Sequence, residues 1–222
     1  VEQQGTPLKD WDIQIFRGVI TGCNEAFIID RKKRDELIAA DVNSSAIIKP
    51  ILRGKDIKRY QVNFADWYVI IAKFGSYKTL KSEYPAIYQH LKSYEQKLKS
   101  RGQCRYTRSG KIVGDYPGQH HWLELDNNPK QEYLDIFTKP KIIYPSMTQY
   151  LPFYYDGDGA FFINDKAFIL SGDKEILPYL TALLNSSLFR CCFKENFAAL
   201  GEKGRELRKI FIEKIPLKKP TP

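Results

Sequence analysis

Apolar residues along this chain fall into short runs separated by polar, glycine-rich and basic stretches, with two intervals at helical spacing. Residues 17–30 carry a short apolar run, a Thr21-Gly22 turn signal and a second run from Ala26 to Ile29, which predicts strand, turn, strand. Residues 30–40 are charged, with Leu37 and Ile38 on one side, the pattern of a short surface helix. Residues 47–52 form another apolar run, 53–57 a basic turn, and 67–71 a buried strand.

Pro85 opens the clearest helix, where a missing N–H costs nothing because that donor has no intrahelical partner. Ile87, Leu91, Tyr94 and Leu98 recur on one face, while Lys92, Glu95, Gln96 and Lys99 face water. From 101 to 121 the pattern stops, and a long loop or loosely paired hairpin is expected. Prolines bound a buried strand at 139–145, and residues 153–155 and 160–163 flank Asp156-Gly-Asp-Gly159 as a hairpin would. After a further apolar run at 167–170, Ile176, Leu177, Leu180, Leu183 and Leu184 predict an amphipathic helix running towards Phe189. Residues 201–209 read as a charged helix and 210–217 as extended. The sum is an α+β (mixed α/β) fold, a mixed β-sheet with flanking helices. It forms one domain over 1–222 with a C-terminal helical part at about 174–210.

Composition narrows the function classes. The 222 residues carry 35 Lys and Arg against 26 Asp and Glu, a net charge of +9, which suits a polyanionic partner. No run approaches the ~20 apolar residues of a membrane span, so a membrane partner is not expected. Val1 follows no signal-like stretch, so it reads as a boundary inside a longer polypeptide. The four cysteines show no paired spacing, as in a cytoplasmic protein.

Positive charge gathers before and within the 101–121 interval, where Lys97, Lys99, Arg101, Arg105, Arg108 and Lys111 arrive with no acidic residue until Asp115. Arg105, Arg108 and Lys111 can reach guanine edges or phosphates, and Gln119 an adenine edge. His120 and the polar segment with Ser146, Thr148, Gln149 and Tyr150 complete the candidate base readers. Lys55, Lys58 and Arg59, together with Lys78, are the candidate phosphate anchors, since phosphate contacts position a duplex and base contacts specify it.

Catalytic and metal motifs are not apparent. Adjacent His120 and His121 share no helix face, and no Cys or His pair has zinc spacing, so no metal site is expected. Asn128-Pro129 is followed by Lys130-Gln131 and lacks the aromatic clamp of an amino-methyltransferase motif. Glu95 and Lys97 sit on a predicted solvated helix, and Asp156 and Asp158 read as turn residues. No catalysis is expected within the segment.

Several blocks, in order, resemble a known family. They are Gly18-Val-Ile-Thr-Gly-Cys-Asn-Glu-Ala-Phe-Ile-Ile29, Ile51-Leu-Arg-Gly-Lys-Asp-Ile-Lys-Arg-Tyr60, Tyr84-Pro-Ala-Ile-Tyr-Gln-His-Leu91 and Trp122-Leu-Glu-Leu125. Phe137-Thr-Lys-Pro-Lys-Ile-Ile-Tyr-Pro145, Tyr179-Leu-Thr-Ala-Leu-Leu-Asn-Ser-Ser187 and Ile215-Pro-Leu217 follow. Together they resemble the TaqI-like C-terminal specificity domain of Type II and IIG restriction-modification methyltransferases. They are also similar to the recognition domains of Type I specificity subunits, though Lys218 stands where those continue with proline.

The resemblance implies sequence-specific recognition of double-stranded DNA in a prokaryotic cytoplasm. It also implies an upstream adenine methyltransferase domain in the same polypeptide, into which the target base is flipped. S-adenosylmethionine would belong to that parent enzyme, as would Mg if it also carries an endonuclease; no cofactor is implied for the fragment. It further implies that recognition residues lie between the blocks, where the basic loops fall. A Type I specificity-subunit half acting as an adaptor, and a protein-interaction scaffold with a basic surface, are the alternative readings.

Overall fold

A computed structural model describes residues 5–105, 116–196, 199–200 and 204–220. The elements in chain order begin with strands β1 (Gln14–Arg17) and β2 (Ile28–Asp30), helix α1 (Arg31–Ala40) and strand β3 (Ile48–Leu52). Strand β4 (Trp67–Ile70) and helices α2 (Pro85–Lys92), α3 (Glu95–Lys99) and α4 (Gly102–Arg105) follow. Then come strands β5 (Lys141–Pro145), β6 (Met147–Thr148), β7 (Tyr154–Asp156) and β8 (Ala167–Ser171). Helices α5 (Ile176–Leu184) and α6 (Ser187–Asn196), strand β9 (Gly204–Glu206) and helix α7 (Lys209–Ile212) close the chain. The fold is α+β, as the hydrophobic pattern predicts. No helix among the described residues is long and apolar enough to cross a membrane.

The chain separates into two compact units: Val1–Gly18, Leu52–Ala65 and Ile136–Pro222 form the first, and Val19–Ile51 with Asp66–Asp135 the second. The first unit is built on an antiparallel sheet ordered β7-β5-β8-β1. Central β5 pairs with β7 through Tyr154↔Ile143 and with β8 through Ile169↔Ile143. Alternation along a strand sends Ile142 and Tyr144 to the same face, and both join a core with Ile15, Leu170 and Phe153. Helix α5 covers that core with Leu177, Leu180 and Leu184, one stripe at helical spacing. The Asn185 side chain ties the end of α5 to Phe153, accepting from its N–H at 3.2 Å and donating to its carbonyl at 2.8 Å.

Lys141 at the start of β5 forms an ion pair with Asp156, its register partner on β7. Lys141 is fully buried, and its Nζ donates to Asp156 Oδ2 at 2.6 Å and to the Phe137 carbonyl at 2.6 Å. Asp156 accepts in addition from the N–H groups of Ala160 and Phe161, both at 3.0 Å. Burial pushes the Lys141 amine down from its ordinary range, and Asp156 opposes that shift. The residue expected to turn a hairpin is thus the anchor of a buried network, and β7 pairs with β5, not with the strand after the turn.

Gly18 closes β1 where the backbone of the Ile163–Asn164 segment passes. A Cβ there would lie 2.1 Å from the Asn164 carbonyl oxygen, so only glycine fits. Gly18→Ala is expected to cost at least about 1–3 kcal/mol by overpacking. The measurement is the urea midpoint, and an unchanged midpoint would refute the close approach.

In the second unit β4 is central, pairing antiparallel with β2 (Ile29↔Tyr68) and with β3 (Lys49↔Val69). Helix α1 starts where the Asp30 side chain accepts from the Lys33 N–H at 2.8 Å, satisfying one donor of the first turn. The sequence pattern differs from this unit in two places. Residues 24–27 form a helical turn ahead of β2, so the second apolar run is only half strand. The continuous apolar stripe from Ile87 to Leu98 spans two helices, because Ser93 turns its hydroxyl back to the His90 carbonyl at 2.6 Å and the chain leaves the helix at Tyr94. Near the C-terminus, Gly204–Glu206 is a strand and Lys209–Ile212 a helix, reversing the helical and extended expectations there. A short strand at 204–206 gains ladder bonds from β6, and β-pairing overrides the charged composition.

Candidate functional site

Within the first unit one groove of about 920 Å³ gathers side chains that are far apart in sequence. One wall is the basic turn after β3. Asp56, buried, accepts from Arg53 Nε at 2.9 Å and Nη2 at 3.1 Å, and from the Arg53 N–H at 2.9 Å. This two-pronged pairing fixes the turn, and Gly54 lets it pass close to Pro145 and the Lys166 carbonyl. A two-residue hairpin follows, with Ile57–Lys58 paired to Gln61–Val62. Arg59 and Tyr60 form its tip, Tyr60 at φ 63°, and the Arg59 guanidinium lies 5.3 Å from the Tyr60 ring centroid. Lys55, Lys58 and Arg59 are all exposed.

The facing wall leaves the central strand. Beyond Pro145, β6 pairs with β9 (Glu206↔Met147), and the Leu207 N–H donates to the Ser146 carbonyl at 2.8 Å. Thr148 Oγ1 then accepts from the Tyr150 N–H at 3.0 Å, and Leu151 takes φ 51°, turning the chain sharply. Leu151 is buried, so burial of its side chain holds a conformation that a bulky residue seldom adopts. The result projects Gln149 and Tyr150 outward, with Tyr150 75% exposed and Met147 61% exposed.

Lys166 and Arg190 also line the groove. Its basic residues are therefore Arg53, Lys55, Lys58, Arg59, Lys166 and Arg190, and among the described residues none of the lining side chains is acidic. A concave surface with cations on its rim, an amide, hydroxyls and an aromatic ring can hold phosphates and read hydrogen-bonding edges. Seven of the candidate residues meet here: Lys55, Lys58, Arg59, Ser146, Thr148, Gln149 and Tyr150. Lys166 and Arg190 were not legible as site residues. Lys166 is a lone cation in its segment and Arg190 lies on a largely apolar part of α6, and only the fold brings either to the others.

The remaining candidates belong to the second unit. Lys78 is exposed, its Nζ 5.8 Å from the Tyr77 ring centroid. Arg105 is exposed at the end of α4, while Gln119 is half-buried and its carbonyl accepts from Asn128 Nδ2 at 3.3 Å. Arg108 and Lys111 lie outside the described residues. His120 is fully buried: Nδ1 lies 2.9 Å from the His121 carbonyl oxygen and Nε2 3.1 Å from Asp126 Oδ1. A ring so placed is not presented to a groove of DNA, and adjacency to exposed polar residues in sequence gave no sign of it.

Part of the basic run before Asp115 is also used internally. Lys97 and Lys99 pair with Glu25 and Glu95. Arg101 is buried and donates to four carbonyls, those of Leu98, Thr21, Trp122 and Glu124, at 2.7–3.1 Å. Buried Glu124 in turn accepts from the N–H groups of Gly75, Tyr77 and His121, and burial pushes its carboxyl up from the ordinary range. The fold also assembles a cluster that spacing did not reveal, since Cys104, His120 and Asp126 bring one possible ligand atom each within 4.8 Å of one another.

A model of the TaqI-like C-terminal specificity domain family matches residues 49–217. No curated protein sequence matches the chain. Among solved structures, the Type IIL restriction-modification enzyme MmeI, determined in complex with DNA, superposes with a TM-score of 0.61 at 11% identity, covering 93% of this chain and 24% of MmeI. The Type IIG restriction endonuclease BpuSI superposes with a TM-score of 0.57 at 16% identity, covering 97% of this chain and 24% of BpuSI. These likenesses are of fold, and the chain spans about a quarter of each of those enzymes.

Proposed function

From the premise that the chain belongs to the TaqI-like C-terminal specificity domain family, we propose that it recognises a short duplex DNA sequence on behalf of a restriction-modification enzyme. The observation that carries this reading is the groove of the first unit, where six basic residues surround the Ser146, Thr148, Gln149 and Tyr150 side chains. Lys55, Lys58 and Arg59 hold phosphates and set the register of the duplex, while Gln149 and its neighbours address base edges. Lys78, Arg105, Arg108, Lys111 and Gln119 of the second unit supply further contacts.

In the same reading the parent polypeptide carries an adenine methyltransferase domain, and this module places the target base for flipping into it. S-adenosylmethionine serves that domain, and the 222 residues act together as its target-recognition part. MmeI, at 11% identity, was solved with DNA and shares the fold, which supports the class of partner.

The test is a titration of the chain with duplex pools at several salt concentrations. A steep linear fall of log K against log salt is expected, with slope about −0.9 for each phosphate neutralised. An affinity independent of salt, or equal for all duplexes at every salt, would overturn the proposal.

A further inference from the structure

The Cys104–His120–Asp126 cluster of the second unit plays no part in the reading above, and its geometry is specific. Cys104 ends up beside His120 because the 118–120 segment packs directly on α4. The Gln119 N–H donates to the Gln103 carbonyl at 2.6 Å, and a Cβ on Gly118 would lie 2.2 Å from the Cys104 carbonyl oxygen. Cys104 Sγ then lies 3.6 Å from His120 Nδ1 and 3.7 Å from Nε2, and Nε2 lies 3.1 Å from Asp126 Oδ1.

We infer that Cys104, His120 and Asp126 form a binding site for a divalent transition metal of the zinc type. Tetrahedral zinc, with bonds of about 2.3 Å to sulfur and about 2.0 Å to nitrogen and oxygen, spaces its ligands about 3.6 Å apart for S···N and about 3.3 Å for N···O. The sulfur–nitrogen and nitrogen–oxygen pairs stand near those separations, and all three ligand atoms lie within 4.8 Å of one another. Thiolate with imidazole selects zinc-like ions over magnesium or calcium.

The surroundings complete the site. His120 Nδ1 faces the His121 carbonyl oxygen at 2.9 Å, so its proton belongs there and the Nε2 lone pair is left for the metal. Asp126 is half-buried and gives access from solvent, whereas Cys104 and His120 are buried.

Arg101 Nη1 lies 3.8 Å from Asp126 Oδ1, and a dication would enter with loss of the Cys104 thiol proton. Cys104 and His120 also bracket Arg105, Arg108 and Lys111 in sequence.

The experiment titrates the metal-free full chain with cobalt(II) alone and then adds zinc. One cobalt per chain is expected, with visible ligand-field bands of a four-coordinate site and a thiolate-to-cobalt charge-transfer band in the near ultraviolet, all erased by one equivalent of zinc. Cys104→Ser should lose the charge-transfer band, and Asp126→Asn should bind at least about tenfold more weakly, with both variants folded by circular dichroism. Absence of cobalt uptake overturns the inference. So does a spectrum unchanged in Cys104→Ser, which would place the metal on another cysteine, or weak octahedral bands without a sulfur contribution.

Discussion

Asp156→Ala is expected to remove about 3–5 kcal/mol of folding stability, the range for breaking one side of a buried ion pair. The substitution leaves the Lys141 amine buried with one acceptor, the Phe137 carbonyl, and strips the Ala160 and Phe161 N–H groups of theirs. Urea unfolding measures the loss, and a change below about 1 kcal/mol would show that the network contributes little. The pH dependence has a definite sign. Burial lowers the Lys141 pKa in the folded protein and Asp156 opposes that shift, so without Asp156 the folded pKa falls further below its unfolded value. A cation with a depressed folded pKa costs stability at low pH and ceases to do so as pH rises towards its unfolded pKa. The gap between Asp156→Ala and the parent chain should therefore narrow between neutral pH and about pH 10. Replacing Lys141 and Asp156 together by Met and Leu should cost much less than Asp156→Ala, because the uncompensated charge is gone.

The second large effect concerns the groove. Reversing Lys55, Lys58 and Arg59 together to glutamate should weaken duplex binding at least about 100-fold at 0.15 M salt, the value of three phosphate contacts by counterion release. The log–log salt slope should become shallower by about 2.7 for the same reason. All three side chains are exposed and outside the core, so thermal unfolding should stay near that of the parent. Lys174→Glu, at an exposed position outside the groove, is the control. Equal losses from both variants would mean that the chain binds DNA through diffuse charge, and the groove would lose its assignment.

How much of this was legible depends on whether the deciding contact was local. Pro85 and the Leu177, Leu180, Leu184 stripe announced their helices because the signal repeats every turn. Asp156 announced a turn correctly but not its partner, since Lys141 comes fifteen residues earlier and a buried lysine looks in sequence like an exposed one. Arg101 misled for the same reason: four carbonyl acceptors, three of them at distant positions, absorb a charge that the sequence assigns to the surface. The two groove walls were each readable as polar or basic segments, whereas their meeting, and the arrival of Lys166 and of Arg190 on α6, belong to the tertiary fold. Cys104, His120 and Asp126 stand sixteen and six positions apart, a spacing that matches no local motif.

The way residues 146–150 leave β5 has an evolutionary consequence. Lys141 to Pro145 are wholly buried and carry the sheet, while Met147, Gln149 and Tyr150, immediately beyond, are exposed. Exposed substitutions of that kind usually move stability by no more than about 0.5 kcal/mol. In the proposed reading, new target preferences can therefore be sampled in a few adjacent codons without drawing on the stability reserve of the sheet. The exposed rim and the buried strand beneath it are separated by a single residue, Ser146.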